Sequence, residues 1–229
     1  MNQPKLYARL RWQLAQYLEG RWWQRYLRRK DPEAYLAEKR AYWQRTLDEL
    51  EWQLQSGRKV LDAGCGPAGV FILAETTERV TALDPLLKTY EQTLPIFSQS
   101  VYPRVNFRAQ TLETPLTNDP KFEAIYCFNA INHVANWDLA LDQLSNYATP
   151  GTSLILTSDV HRHSLLLPIF RALPGDALHP QQHDAADYRE ALTSRGWVIE
   201  REVELRREFI FQYTAWVCIF APPSTNTTL

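Results

Sequence analysis

The sequence predicts an α/β fold, a mixed sheet of seven strands with helices on both faces. Three observations carry this reading. Residues 60–69 (Val-Leu-Asp-Ala-Gly-Cys-Gly-Pro-Ala-Gly) run as a short apolar strand through an acid into a glycine-rich turn, the pattern of a strand that feeds a helix N-terminus. A second apolar run, Val80, Ala82 and Leu83, closes on another acid, Asp84. Strand-end signals then continue in order through Leu112 and Asn129 to Gly151.

The chain opens with a basic amphipathic helix. Tyr7, Leu10, Leu14, Leu18, Trp22 and Tyr26 recur at three- and four-residue spacing on one face, and Gly20 is expected to bend or interrupt the helix. Asp31 suits an N-cap and Pro32 the first helical position, so a second helix should run to about Gln55, with Leu36, Trp43, Leu47, Leu50 and Leu54 as its buried stripe and Gly57 as its stop. The first strand follows.

Gly64, Gly66 and Gly69 have the spacing G-x-G-x-x-G, which alone suits a dinucleotide pyrophosphate on a helix N-terminus. Asp62 argues otherwise. A carboxylate two residues before the first glycine repels a pyrophosphate and attracts a cationic ligand.

Val105 to Gln110 reads as a third strand, followed by Thr111, Leu112 and Glu113, and Phe122 to Phe128 as a fourth, followed by the turn Asn129-Ala-Ile-Asn-His133-Val. Pro150-Gly151 leads into a fifth, Ser153 to Thr157. Ser158 to His183 reads as a long lid-like loop that holds Asp159, His161, His163, an apolar run Leu165 to Phe170 and His179-Pro-Gln-Gln-His183. A helix over Ala185 to Ser194 breaks at Gly196, and two strands, Trp197 to Glu204 and Glu208 to Phe220, precede a polar tail. The expected division is a helical cover over 1–57, a core over 58–222 and a flexible tail over 223–229, with no internal repeat.

Val60 to Phe71 resembles motif I of class I S-adenosylmethionine-dependent methyltransferases, of the type resembling quinone-biosynthesis methyltransferases. The resemblance covers roughly Lys59 to Pro222 and implies a Rossmann-like sheet whose last strand, Phe209 to Phe220, is antiparallel. It implies S-adenosyl-L-methionine as cofactor, held by Asp62, Ala63, Gly64, Cys65, Gly66, Asp84, Pro85, Thr111, Leu112 and Asn129. Asp84 would grip the ribose hydroxyls, and Pro85 would pack on adenine. Thr111 stands where the family commonly has an aspartate for the adenine amino group, and the Leu112 N–H would bond the ring.

The implied reaction is methyl transfer to a small apolar acceptor. His133 follows the fourth strand and is the leading candidate base, with His161 and His163 behind it, while Tyr126 and Tyr213 are expected to pack in the sheet. Two rival functions remain: a nicotinamide-dependent oxidoreductase, from the literal glycine spacing, and a methyltransferase-like partner protein without activity.

Composition narrows the setting. The 229 residues suffice for one domain. No apolar stretch approaches the ~18 residues of a membrane span, and no signal peptide is read at the N-terminus, so a cytoplasmic protein is expected. Cys65, Cys127 and Cys218 are far apart and without a C-x-x-C pair, and Pro180 separates His179 from His183, so no metal is expected. Net charge is −1, yet residues 1–30 hold eight Lys and Arg against the single acid Glu19. A cover packed on the domain is the favoured reading of that segment. Docking on an anionic membrane is the second, and nucleic-acid binding the third, opposed by the acidic remainder. The acceptor's identity and the oligomeric state leave no signal.

Overall fold

The computed structural model describes residues 3–162, 181 and 183–222, with side chains of the first helix from Trp12 onward. Its helices are α1 (Gln3–Leu27), α2 (Pro32–Glu49), α3 (Phe71–Ala74), α4 (Leu87–Thr93), α5 (Trp137–Asn146) and α6 (Ala185–Thr193). The strands are β1 (Lys59–Ala63), β2 (Arg79–Leu83), β3 (Asn106–Arg108), β4 (Ala124–Phe128), β5 (Ser153–His161), β6 (Trp197–Arg207) and β7 (Phe211–Phe220). All seven form one sheet in the order β3-β2-β1-β4-β5-β7-β6. The first five pair in parallel, and β7 runs antiparallel to both β5 and β6.

The central strands are buried along almost their whole length because both faces are covered. Val60, Ala124, Tyr126 and Phe128 join the core on the side of α1 to α4, whereas Leu61, Ile125, Cys127 and Leu156 join the one under α5 and α6. All three cysteines are buried and free. Chain order reverses between β1 and β4, and such a switch point opens a crevice beyond the carboxyl ends of the strands.

Several sequence expectations need correction. α1 runs through Gly20 without a break, and the glycine is buried where α1 lies on α4, near Thr89. The stripe is also rotated: Leu14, Trp22 and Tyr26 are exposed over about half of their surface, and Ala15, Gly20 and Leu27 are the buried positions. α2 has the expected cap, with the Asp31 carboxylate accepting from Ala34 N–H at 2.8 Å. It stops at Glu49 rather than Gln55, because Glu51 turns left-handed (φ 47°) and Trp52 folds back to donate from its ring to Tyr126 Oη. Gly57 lies in the following turn.

β5 extends to His161, so Ser158 to His161 belong to the sheet and not to a loop. Residues 163–180 and 223–229, which carry His163, the Leu165–Phe170 run, His179 and the expected tail, lie outside the described residues. β6 is longer than expected and bulged twice, between Ile199 and Arg201 and between Glu204 and Arg206. No helix among the described residues is long and apolar enough to cross a membrane.

Candidate active site

A cavity of about 490 Å³ opens at the carboxyl ends of β1, β2 and β4, roofed by α1 and α2. The turn after β1 forms its floor. Gly64 and Cys65 donate their N–H groups to Leu83 O at 2.7 and 3.0 Å, which pins the turn to the end of β2. Gly64 has φ 75°, and a Cβ there would lie 2.2 Å from Ala130 Cβ, so only glycine fits between the turns after β1 and β4. Gly66 is also left-handed (φ 58°), but it faces open space. Gly69 is required for a different contact, since a Cβ there would meet Cys65 O at 2.3 Å and Asp62 Oδ2 at 2.7 Å. α2 braces the turn from above through Trp43, whose ring N–H donates to Ala68 O at 2.9 Å.

Two buried acids sit at this end. Asp84 lines the cavity, and its oxygens accept from Gly66 N–H at 3.0 Å and Leu86 N–H at 2.7 Å. Asp62 lies beneath the turn, accepts from Phe71 N–H at 2.9 Å and does not itself line the cavity; neither does Ala63. Burial pushes the Asp62 carboxyl up to about 7, with the Phe71 bond opposing and Asp84 adding to the rise. Burial likewise lifts Asp84 to about 6. No Lys or Arg pairs with either carboxylate among the described residues. Such an uncompensated pair suits a cationic ligand and disfavours a pyrophosphate.

Pro85, Thr111, Leu112, Asn129 and His133 line the same cavity, so nine of the expected site residues converge there: these five with Gly64, Cys65, Gly66 and Asp84. The Thr111 hydroxyl bonds the Thr114 hydroxyl at 3.0 Å. Asn129 is held left-handed (φ 49°), with its N–H donating to Thr157 O and Oγ1, both at 3.0 Å. His133 ends a short 3-10 turn after β4. Glu113, unassigned from sequence, also lines the cavity, and its Oε1 accepts from Ala135 and Asn136 N–H at 2.7 and 3.1 Å. Its second oxygen is buried without a partner among the described residues.

The other candidates stand elsewhere. His161 is buried at the end of β5 against the Phe211 ring and borders a separate shallow cavity with Arg162 and Arg207. His183 stacks on Trp137 at 3.8 Å and lies 3.4 Å from the Asp187 carboxylate, a structural role. Tyr126 packs in the sheet, its hydroxyl donating to the buried Glu78. Tyr213 packs there too, 2.6 Å from Thr157 Oγ1, but also reaches the cavity wall.

The far end of the cavity is aromatic. Trp12, Trp22 and Trp23 of α1, Tyr42 and Trp43 of α2, Phe128 of β4 and Tyr213 of β7 make an aromatic box. Lys39 sits in it above the Tyr42 and Trp43 rings, at 4.8 and 5.7 Å, and burial lowers its ammonium below the usual lysine range. No carboxylate pairs with Lys39 among the described residues. Across the box, Arg206 lies 3.6 Å from Asp159 and 5.6 Å from the Tyr213 ring centroid.

Comparison with known proteins gives this architecture a family. Residues 35–202 match the methyltransferase domain family. The ubiquinone biosynthesis O-methyltransferase of Rickettsia prowazekii is 31% identical over 116 residues, 50% of this chain and 45% of that protein. Its counterpart in Rickettsia typhi is 30% identical over 126 residues, 54% and 50% of the two chains. The chain thus spans about half the length of the curated relatives it matches. Geranyl diphosphate C-methyltransferase from Streptomyces coelicolor, solved with S-adenosyl-L-homocysteine, has the same fold: TM-score 0.59, 14% identity, 79% of each chain. With strand order, glycine turn and family match in agreement, the chain belongs to the methyltransferase domain family.

Proposed function

We propose that the cavity binds S-adenosyl-L-methionine and that the protein transfers its methyl group to the oxygen of a small aromatic or apolar acceptor. The observation that carries this reading is the buried acid pair, Asp62 and Asp84, unpaired by any protein cation among the described residues at a glycine turn. In this reading Asp84 accepts from the ribose hydroxyls, while Asp62 sets the field beneath Gly64, Cys65 and Gly66 and favours the cationic methionine end. Pro85 and Leu112 bracket the adenine. The Thr111 hydroxyl and the spare oxygen of Glu113 supply acceptors for its amino group, which makes up for the missing aspartate.

When bound, the cofactor supplies a methyl group already activated on sulfonium. What remains for the protein is alignment and exclusion of water. Asn129 and His133 stand at the transfer end, and His133 takes the acceptor's proton. The aromatic box holds the acceptor ring, and Lys39 stabilises the oxyanion left when that proton departs. Residues 1–57 act as the cover, because α1 and α2 contribute Trp12, Trp23, Lys39 and Tyr42 to the wall. Oxygen as the receiving atom is supported by the O-methyltransferase names of the Rickettsia relatives.

Calorimetry with S-adenosylhomocysteine and with NAD tests the cofactor, and transfer of labelled methyl into fractionated cell extract tests the acceptor. The expected result is binding of the adenosyl compound alone, with label in a small organic-soluble product. Binding of NAD alone, or label confined to protein or RNA, would overturn the reading.

A further inference from the structure

The inner side of α1 closes the cavity, but its outer side has an unusual composition for a face that meets only water. Leu14 is 53% exposed, Tyr17 61%, Trp22 46% and Tyr26 40%. Between them stand Arg21, Arg25, Arg28 and Arg29, all exposed, and none pairs with a carboxylate among the described residues. The one acid of the segment, Glu19, lies on the inner side and lines the cavity. We propose that this outer face docks the protein on an anionic membrane surface.

Charge complementarity favours that occupant. Residues 1–30 hold eight Lys and Arg against one Glu, while the whole chain has a net charge of −1, so the acid excess lies in the rest of the molecule. An anionic surface therefore attracts the α1 side more strongly than the acid-rich remainder, which orients the protein with α1 toward the lipid. A planar bilayer meets the helix alone, whereas a nucleic-acid strand would also run past the acidic remainder. Arginines and aromatics are interleaved rather than segregated. Trp22 and Tyr26 stack at 4.8 Å, and Arg21 lies 6.0 Å from the Tyr17 ring centroid. Interleaving of this kind suits headgroup depth, where aromatic rings and guanidinium groups share one layer, rather than deep insertion.

The docking has a consequence for access. Trp22 belongs to both surfaces, being nearly half exposed and also part of the cavity wall. A docked α1 thus brings the rim of the aromatic box to the lipid, where an apolar molecule dissolved in the bilayer is concentrated.

The test is co-sedimentation of the full chain with phosphatidylcholine vesicles, with and without phosphatidylglycerol. Wild type is compared with Arg21→Gln/Arg25→Gln/Arg28→Gln, none of which lines the cavity. Wild type should sediment only with the anionic vesicles and be released by salt. The triple variant should lose about a hundredfold in partition, with its melting temperature and S-adenosylhomocysteine affinity unchanged. Docking is overturned if wild type fails to sediment, if both proteins bind neutral vesicles equally, or if the triple variant binds like wild type. It is also overturned if the arginines instead support RNA binding or self-association without vesicle binding. Cofactor affinity measured on the same samples keeps the two ideas separate, since its absence would remove the proposed reaction and leave the docking result standing.

Discussion

The two ends of the cavity are built by opposite strategies. At the turn end, Gly64, Cys65 and Gly66 follow one another in sequence, and backbone N–H groups, left-handed glycines and two buried carboxylates do the shaping. At the aromatic end, residues from α1, α2, β4 and β7 converge across the length of the chain. A short-range site fails when one atom is added. A long-range site loses function by degrees as its walls are thinned.

The largest expected effect concerns the carboxylates. Asp62 at about 7 and Asp84 at about 6 both stand above the ordinary 3.8. A raised folded-state value means the stability they confer is complete below about pH 4 and is lost as pH rises through 6 and 7. Between pH 5 and pH 8 the ligand-free protein should lose on the order of a few kcal/mol from this pair. Denaturant unfolding of wild type against Asp62→Asn/Asp84→Asn reads that difference, and parallel pH curves for the two would sink the assignment.

Next comes the turn itself. Gly64→Ala should cost about 3 kcal/mol, from left-handed strain and the clash with Ala130. Gly66→Ala, facing open space, should cost only about 1–2 kcal/mol. Thermal melts that rank the two variants the other way would show that the turn is not packed as described.

At the transfer and aromatic end the losses should be kinetic. His133→Ala is expected to lower kcat about a hundredfold with cofactor affinity intact. Lys39→Met should lower kcat about tenfold, again without touching the cofactor. An unchanged kcat in the first variant would reduce His133 to a turn residue. A loss of S-adenosylhomocysteine binding in the second would move Lys39 to the wrong end of the cavity.

The smallest effect is a gain. Gly20→Ala should stabilise the protein by about 0.5–1 kcal/mol, because the new Cβ would lie in ordinary contact, 3.6 Å from Thr89 Cγ2. Destabilisation in this variant would show that the α1–α4 contact is closer than that.

The same contrast explains what could be read from sequence. β1, its turn, and Asp84 at the end of β2 are encoded by neighbouring residues whose spacing reports backbone shape directly. The rotated face of α1 could not be read, because Leu14, Trp22 and Tyr26 on the outside are as apolar as Trp12 and Trp23 on the inside. Gly20 misled for a related reason, since its partner Thr89 belongs to α4 and is remote in sequence. The end of α2 depends on Trp52 finding Tyr126, while Leu54 keeps the helical spacing of Leu47 and Leu50 past that point. Lys39, Arg206 and Asp159 carry no local motif, and only the folded chain brings them to one cavity.

β6 has one more consequence. It is an eleven-residue strand at the border of the sheet, with one side unpaired among the described residues, and such a border invites a strand from another molecule. Glu200, Arg201, Glu202, Glu204, Arg206 and Arg207 fill it with charge, and the two bulges break the even ladder that a foreign strand would need to read. The border is therefore a poor template for aggregation, and the β6–β7 pair can bring Arg206 and Tyr213 to the cavity wall without leaving a sticky seam behind them.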